Sequence, residues 1–263
     1  MKISHEVPLD LLETSLTFND YDYLLPHFYL KYPKYKEFYL KSRDKGRFII
    51  MDNGLFEGGV LPEKDLIAMI NEVQPDIFIV PDSWNNTTLT VDHAERWVSK
   101  IKPNLPPKTN LMVVLQGKSY DQIQECLHTC MNGGVKHFGL NHSSLAYTDL
   151  FYHSNLLISK TMGRIITFNK LIEEDIFDKF KKCYIHFLGL NLPQELIYVN
   201  HKELISSVDT SNPIINGIKG IRYTELGLWK KPEEKIETFM EKDLASNIED
   251  IIFNVNSFRK WTI

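Results

Sequence analysis

The sequence is poor in the patterns that anchor several common chemistries. Its 263 residues hold only three cysteines, Cys126, Cys130 and Cys183, too few for a disulfide framework in a chain this long. HExxH, a paired Cys-x-x-Cys and a histidine cluster are all missing, which leaves a zinc hydrolase without ligands. GxGxxG and the P-loop pattern are missing too, so nucleotide-cofactor chemistry has no anchor. No apolar run approaches the roughly 20 residues of a membrane span. The opening Met1-Lys2-Ile3-Ser4-His5-Glu6 lacks the hydrophobic region of a signal peptide, and a reducing cytoplasm is the expected compartment. Glycine (13) and proline (12) are scattered without period, which excludes collagen-like and low-complexity classes. Neither charge dominates. Thirty basic residues against 34 acidic ones give −4, which excludes a histone-like binder and leaves room for a local patch.

What is present suits a folded α/β protein. Apolar residues make up 43% of the chain and aromatics 12%, enough to offset chain entropy by burial. Short hydrophobic runs at Phe48 to Asp52, Ile77 to Val80, Leu111 to Leu115, Lys136 to Leu140, Tyr184 to Gly189 and Leu204 to Val208 read as parallel strands buried on both faces. Amphipathic helices fill the gaps. Pro62 to Gln74 places Leu66, Met69, Ile70 and Val73 on one face. Ser119 reads as the N-cap of a helix carrying Ile123, Leu127 and Cys130, which Gly133-Gly134 ends. A third helix is expected over Leu145 to Lys170 with a break near Gly163, and a fourth from Pro193. Six repeats, with outer strands near Val7 and Gly227, predict a TIM-like (β/α)8 barrel in one domain spanning 1–263. A doubly wound open sheet fits the same periodicity.

Residues 18–47 stand apart. They hold Tyr21, Tyr23, Tyr29, Tyr32, Tyr35 and Tyr39, and from position 31 onward Lys31, Lys34, Lys36, Lys41, Arg43, Lys45 and Arg47 against Glu37 and Asp44. Interleaved cations and aromatics can follow a phosphate backbone and stack on bases. The alternative is a solvated helix whose tyrosines pack on the barrel. Lys219 and Arg222 are further candidates for a phosphate, and equally an exposed loop pair. Lys230-Lys231 reads as a solvated turn.

The strand ends carry the chemistry. They read Met51-Asp52-Asn53-Gly54, Val80-Pro81-Asp82-Ser83, Leu115-Gln116-Gly117, Phe138-Gly139-Leu140-Asn141, Phe187-Leu188-Gly189 and Ser207-Val208-Asp209-Thr210. Carboxyl ends of parallel strands share one face, where such folds place their sites. Any one of these aspartates could instead cap a helix. Together with Gln116 they suit carboxylate chemistry at an anomeric carbon, through an oxocarbenium-like transition state. His137, His142 and His186 read as packing or local hydrogen-bonding residues. Trp84 divides between stacking on a base and core packing.

These segments, in this order, resemble the tRNA-guanine transglycosylase superfamily, and most of all its short relatives that insert 7-deazaguanines into DNA, phage-encoded ones among them. Asp52-Asn53-Gly54-Leu55-Phe56 is similar to the family's Asp-Ser-Gly-Gly-Phe, and Val80-Pro81-Asp82 to its second aspartate strand. Val114-Leu115-Gln116-Gly117 resembles Val-Gln-Gly, and Phe138-Gly139-Leu140 resembles Gly-Gly-Leu. Phe187-Leu188-Gly189-Leu190 with Pro193-Gln194-Glu195-Leu196 is similar to Leu-Met-Gly-Val-Gly and Pro-Glu-Asp-Leu. Val208-Asp209-Thr210-Ser211 stands where the family has its nucleophile, in the form its DNA-acting members favour.

The resemblance implies roles. Asp209 would attack C1′ of a guanosine nucleotide and Asp52 would act as acid and base. Asp82 and Gln116 would read the purine edge, with Gly117 beside them and the backbone of Gly139 and Leu140 completing the pocket. Leu188 and Gly189 would line one face of the base. The implied partners are a 7-deazaguanine base and DNA, single-stranded or locally opened, with Lys31, Lys34, Lys36, Arg43, Lys45, Arg47, Lys219 and Arg222 as candidate phosphate contacts. No metal, cofactor or membrane is implied, a homodimer stays open, and a phage origin would put the chain in host cytoplasm. The family's zinc site of three cysteines and a histidine has no counterpart. Cys126 and Cys130 share one helix, Cys183 begins a strand, and all three read as inert thiols. Ser211-Asn212-Pro213 replaces the tRNA enzymes' Pro-Thr-Arg. Both departures favour DNA over tRNA. Exchange on tRNA, hydrolysis of the N-glycosidic bond, and a non-catalytic nucleic-acid-binding subunit are the competing readings.

Overall fold

The structure is a computed structural model that describes residues 1–228, 232 and 234–262, without the side chains of 175–177. Lys230-Lys231 lies outside the described residues. Eight strands form one sheet: β1 (Lys2–His5), β2 (Asp22–Leu24), β3 (Ile49–Met51), β4 (Ile77–Ile79), β5 (Asn110–Val114), β6 (His137–Leu140), β7 (Tyr184–Phe187) and β8 (Ile205–Thr210). Their order is β1-β8-β7-β6-β5-β4-β3-β2, and every paired neighbour is parallel. With helices between strands this is a nearly closed TIM-like (β/α)8 barrel, as the periodicity predicts.

The seam between β1 and β2 is closed by side chains rather than a ladder. Ile3 N–H donates to Asp20 Oδ2 at 2.9 Å and Asp20 N–H to Ile3 O at 2.9 Å. Asn19 does the same one step on, taking His5 N–H at 2.8 Å and donating to His5 O at 3.0 Å. The side chains of Asp20 and Asn19, with the main-chain N–H of Asp20, thus stand in for the missing strand pairing.

α1 (Pro33–Asp44) is the helix of the alternative reading of 18–47, and two helices follow the sequence pattern closely: α2 (Glu63–Val73) and, after α3 (Thr87–Arg96), α4 (Tyr120–Asn132). Ser119 Oγ caps α4 through Gln122 N–H, and Gly133 follows its end. Elsewhere the expectation needs correcting. The single helix over 145–170 is two, Leu145–Leu150 and α5 (Leu156–Leu171). The break falls at Asn155, whose Oδ1 caps α5 by accepting from Leu157 N–H at 2.9 Å, and Gly163 lies inside α5. Pro193 opens only a short turn, Pro193–Ile197. The stretch around Gly227 forms an isolated bridge to Thr224 and no barrel strand. The missing strand is β2, within the tyrosine-rich segment. Its three residues are too short to register as a hydrophobic run, and Asp22 breaks them because it pairs with Arg47.

The tyrosines of 18–47 are buried. Tyr39 donates to the Tyr23 carbonyl, Tyr35 Oη accepts from Leu25 N–H at 3.0 Å, and Tyr21 donates to the Val208 carbonyl at 2.8 Å. This segment is barrel wall, and its rings are not available to stack on nucleobases. After β8 the chain runs into α6 (Asn212–Ile218) and ends with α7 (Ile248–Trp261), which packs against it. Among the described residues no helix is long and apolar enough to cross a membrane.

Candidate functional site

A single cleft at the carboxyl ends of the strands gathers Asp52, Asp82, Gln116, Leu188, Gly189 and Asp209. Its empty volume of about 780 Å³, open solvent included, is ample for one nucleoside. None of the three aspartates caps a helix: α2 starts after Pro62, α3 is capped by Asn86, and α6 follows Ser211. That removes the simplest structural explanation for finding them together.

Asp209 ends β8 at 3% exposure. Oδ1 accepts from His186 Nε2 at 2.9 Å, and Gly189 N–H reaches both carboxylate oxygens at 3.1 Å. A carboxylate only accepts, so His186 carries its proton on Nε2. Its Nδ1 meets Ser207 Oγ at 2.7 Å, and the Tyr23 ring stacks on the imidazole at 5.8 Å. Gly189 is required as glycine. Its φ is +60°, and a Cβ would sit 2.7 Å from His142 Nδ1, so any side chain would displace the N–H that grips Asp209.

Asp52 ends β3 in a different environment. Burial, above all, drives its pKa well above the ordinary aspartate value. Glu57 adds to this, while a backbone hydrogen bond opposes it and Asp209 and Asp82 push further upward. Burial thus favours the protonated form of Asp52, which suits a general acid. Glu57, on the loop after β3, is itself raised by burial, and its Oε2 is buried without a hydrogen-bond partner among the described residues.

Asp82 is raised by burial too, against the pull of two donors. Asn53 Nδ2 reaches its Oδ1 at 2.7 Å, and Gln116 Nε2 donates to Oδ2. Each oxygen keeps a lone pair, so Asp82 can still accept from a ligand while Asn53 and Gln116 hold it in place. Gln116 Oε1 in turn accepts from Asn85 N–H at 3.0 Å.

Behind the cleft an ion pair fixes the β7 loop. Arg164 and Glu195 are fully buried and bidentate, at 2.6 and 2.8 Å, and Arg164 Nη1 donates to the Leu188 carbonyl at 2.6 Å.

Three expected pocket residues stand behind the lining. Gly117 packs its backbone on α4, where a Cβ would lie 2.8 Å from Ile123 N. Gly139 makes room for Leu188, whose Cδ1 would be 2.5 Å from a Cβ there. Leu140 is buried, with its carbonyl accepting from Leu188 N–H at 2.9 Å. They shape the wall and do not face the cleft.

The expected phosphate contacts are mostly occupied. Lys31 pairs with Glu237, Lys36 with Glu72, Arg43 with Asp44, Arg47 with Asp22, Lys219 with Glu234 and Arg222 with Asp250. Arg43, Lys45 and Arg47 lie where α1 turns into β3, at the amino ends of the strands and so opposite the cleft. Lys34 stands at the start of α1. Among the described residues, Lys235 does reach the mouth: its Nζ donates to the Phe56 carbonyl at 3.2 Å and lies 4.5 Å from the Phe56 ring centroid. Spacing could not reveal it, since about 180 residues separate the two in sequence. Glu6, Tyr23, Glu57 and His186 were likewise missed as site residues, because each matters only through what the fold sets beside it.

No family model matches this chain, and no curated protein does. The geometry therefore stands by itself. Among the described residues no group of three or more His, Cys, Asp or Glu could hold a metal ion, and Cys126 and Cys130 are buried on α4.

Proposed function

We propose that this protein is a base-exchange glycosyltransferase that replaces guanine in DNA with a 7-deazaguanine through a glycosyl-aspartate. The observation that carries this reading is the contrast between two carboxyls in one cleft. Asp209 is gripped by two N–H donors, and burial raises the pKa of Asp52, favouring its protonated form. A nucleophile and an acid so differentiated match the pairing that glycosidic chemistry uses.

In the first step Asp209 Oδ2 bonds to C1′ as the C1′–N9 bond breaks. The electron pair leaves on guanine, which takes the Asp52 proton. In the second step the incoming base returns a proton to Asp52 and attacks C1′, and the ester electrons go back to Asp209. Protons and charges balance over the cycle, so no cofactor is needed. His186 holds Oδ1 while Oδ2 reacts, and Gly189 N–H, within reach of both oxygens, helps it stabilise the carboxylate that departs in the second step. Asp82 and Gln116 accept from the purine edge, with Leu188 against its face. The resemblance of the Asp-Thr-Ser segment to DNA-acting members supports DNA over tRNA.

The test is incorporation of a labelled 7-deazaguanine into guanine-containing single-stranded DNA, with tRNA in parallel. Label in DNA that Asp209→Ala abolishes is the expected result. An abasic product would replace exchange by hydrolysis. Label in neither nucleic acid would overturn the reading.

A further inference from the structure

At the lip of the cleft Trp84 is 52% exposed and Phe56 41% exposed, with ring centroids 6.4 Å apart. Leu145, 51% exposed, is tied to the same turn: its N–H donates to Asn85 Oδ1 at 2.8 Å. Large apolar side chains left in water beside a cavity mark a binding surface. Here the exposure is enforced. Asn85 adopts a left-handed φ of +55°, a conformation that costs energy for any residue with a Cβ. The turn is pinned by Asn85 N–H to Gln116 Oε1 at 3.0 Å, Asn86 N–H to the Ser83 carbonyl at 3.0 Å, and Ser83 N–H to Thr90 Oγ1 at 3.1 Å. Gln116 thus holds the polar floor of the cleft with one end of its amide and the Trp84 turn with the other.

Charge narrows what can dock there. Among the described residues lining the cleft, none is lysine or arginine, whereas Glu6, Asp52, Glu57, Asp82 and Asp209 all line it. Lys235 lies at that edge but is engaged with the carbonyl and the ring of Phe56, so the exposed indole beside it is the surface that can hold a strand through its bases. We propose that Trp84 is the stacking platform for the nucleobase next to the exchanged nucleotide in a single strand. The inference rests on the exchange reading above and adds a second nucleotide subsite to it. An indole face takes any base, so the subsite holds the strand without reading its sequence.

The experiment uses the full chain and three single-stranded oligodeoxynucleotides with one guanine each: intact, abasic at the 5′ neighbour, or abasic at the 3′ neighbour. Base–aromatic stacking predicts that wild type loses roughly tenfold in kcat/KM with one of the two abasic strands. Trp84→Ala should lose the same factor on the intact strand and no more on the abasic one, and Trp84→Phe should recover most of it. Wild type indifferent to both abasic strands, or losses that multiply in Trp84→Ala, would overturn the platform. If wild type turns over neither DNA nor RNA, the exchange reading itself falls. Oligonucleotide anisotropy then decides the platform alone, and equal Kd for wild type and Trp84→Ala overturns it.

Discussion

His186 grips Asp209 through one nitrogen, Nε2 to Oδ1 at 2.9 Å, while its other nitrogen meets Ser207 Oγ at 2.7 Å. Both side chains are buried and Ser207 is fully inaccessible, so this is no serine nucleophile with its relay. The chain of contacts fixes the imidazole and, through it, the orientation of one carboxylate. His186→Phe should lower kcat for exchange by about tenfold or more, the worth of a hydrogen bond to a charged group. KM for the incoming base should stay within about twofold, since the ring touches Asp209 from behind and is not among the residues lining the cleft. His186→Gln, which restores a donor near the Nε2 position, should recover part of the loss. Equal kcat in folded wild type and His186→Phe would sink the idea.

Asp52→Asn should abolish exchange and stabilise the fold. Because the folded pKa is raised, wild type gains stability from that proton only below the unfolded aspartate value of about 4, and loses it progressively as pH rises toward the folded value. Asparagine has no such dependence. Melting temperatures should therefore coincide near pH 4 and separate in favour of Asp52→Asn toward pH 8. Curves that stay parallel across that range would show that burial does not hold Asp52 protonated.

Arg164→Met and Glu195→Gln should each destabilise by roughly 3–5 kcal/mol in urea unfolding, since each leaves its fully buried partner uncompensated. Arg164→Met/Glu195→Leu should recover much of that. Arg164 also holds the Leu188 carbonyl, so exchange should remain impaired in the double variant even where stability returns.

Arg47→Ala should lower Tm without altering oligonucleotide binding. Arg47 makes two contacts to Asp22, at 2.7 and 2.8 Å, and the Asp22 side chain is only 1% exposed. A Kd that rises with the Tm loss fully corrected would restore the amino-terminal segment as a nucleic-acid contact.

The parallel strands could be read from composition because burial on both faces writes an unbroken apolar run, as in Ile77–Ile79. The same logic hides β2, where Asp22 interrupts three residues and is satisfied by an arginine 25 positions away. Strand-end aspartates were visible because the fold sends every carboxyl end to one face, whereas their inequality was not. Burial and Glu57 set Asp52 apart, and His186 and Gly189 set Asp209 apart, and both depend on neighbours far along the chain. The basic tyrosine-rich segment misled for the same reason. Its composition suits a nucleic-acid groove, but its rings fill the barrel wall and most of its cations find acids.

The side-chain seam bears on the order of assembly. Among the described residues β1 pairs with β8, with Ser4 beside Asp209 and His5 beside Thr210, and its other edge is tied by Asn19 and Asp20, just ahead of β2. A chain emerging from its amino end thus carries its first strand unpaired along one edge until almost all of the barrel has been made. The strand that delivers Asp209 is the one that closes the ring. The contacts that His186 and Gly189 make to Asp209 therefore form with the finished enclosure and not before it.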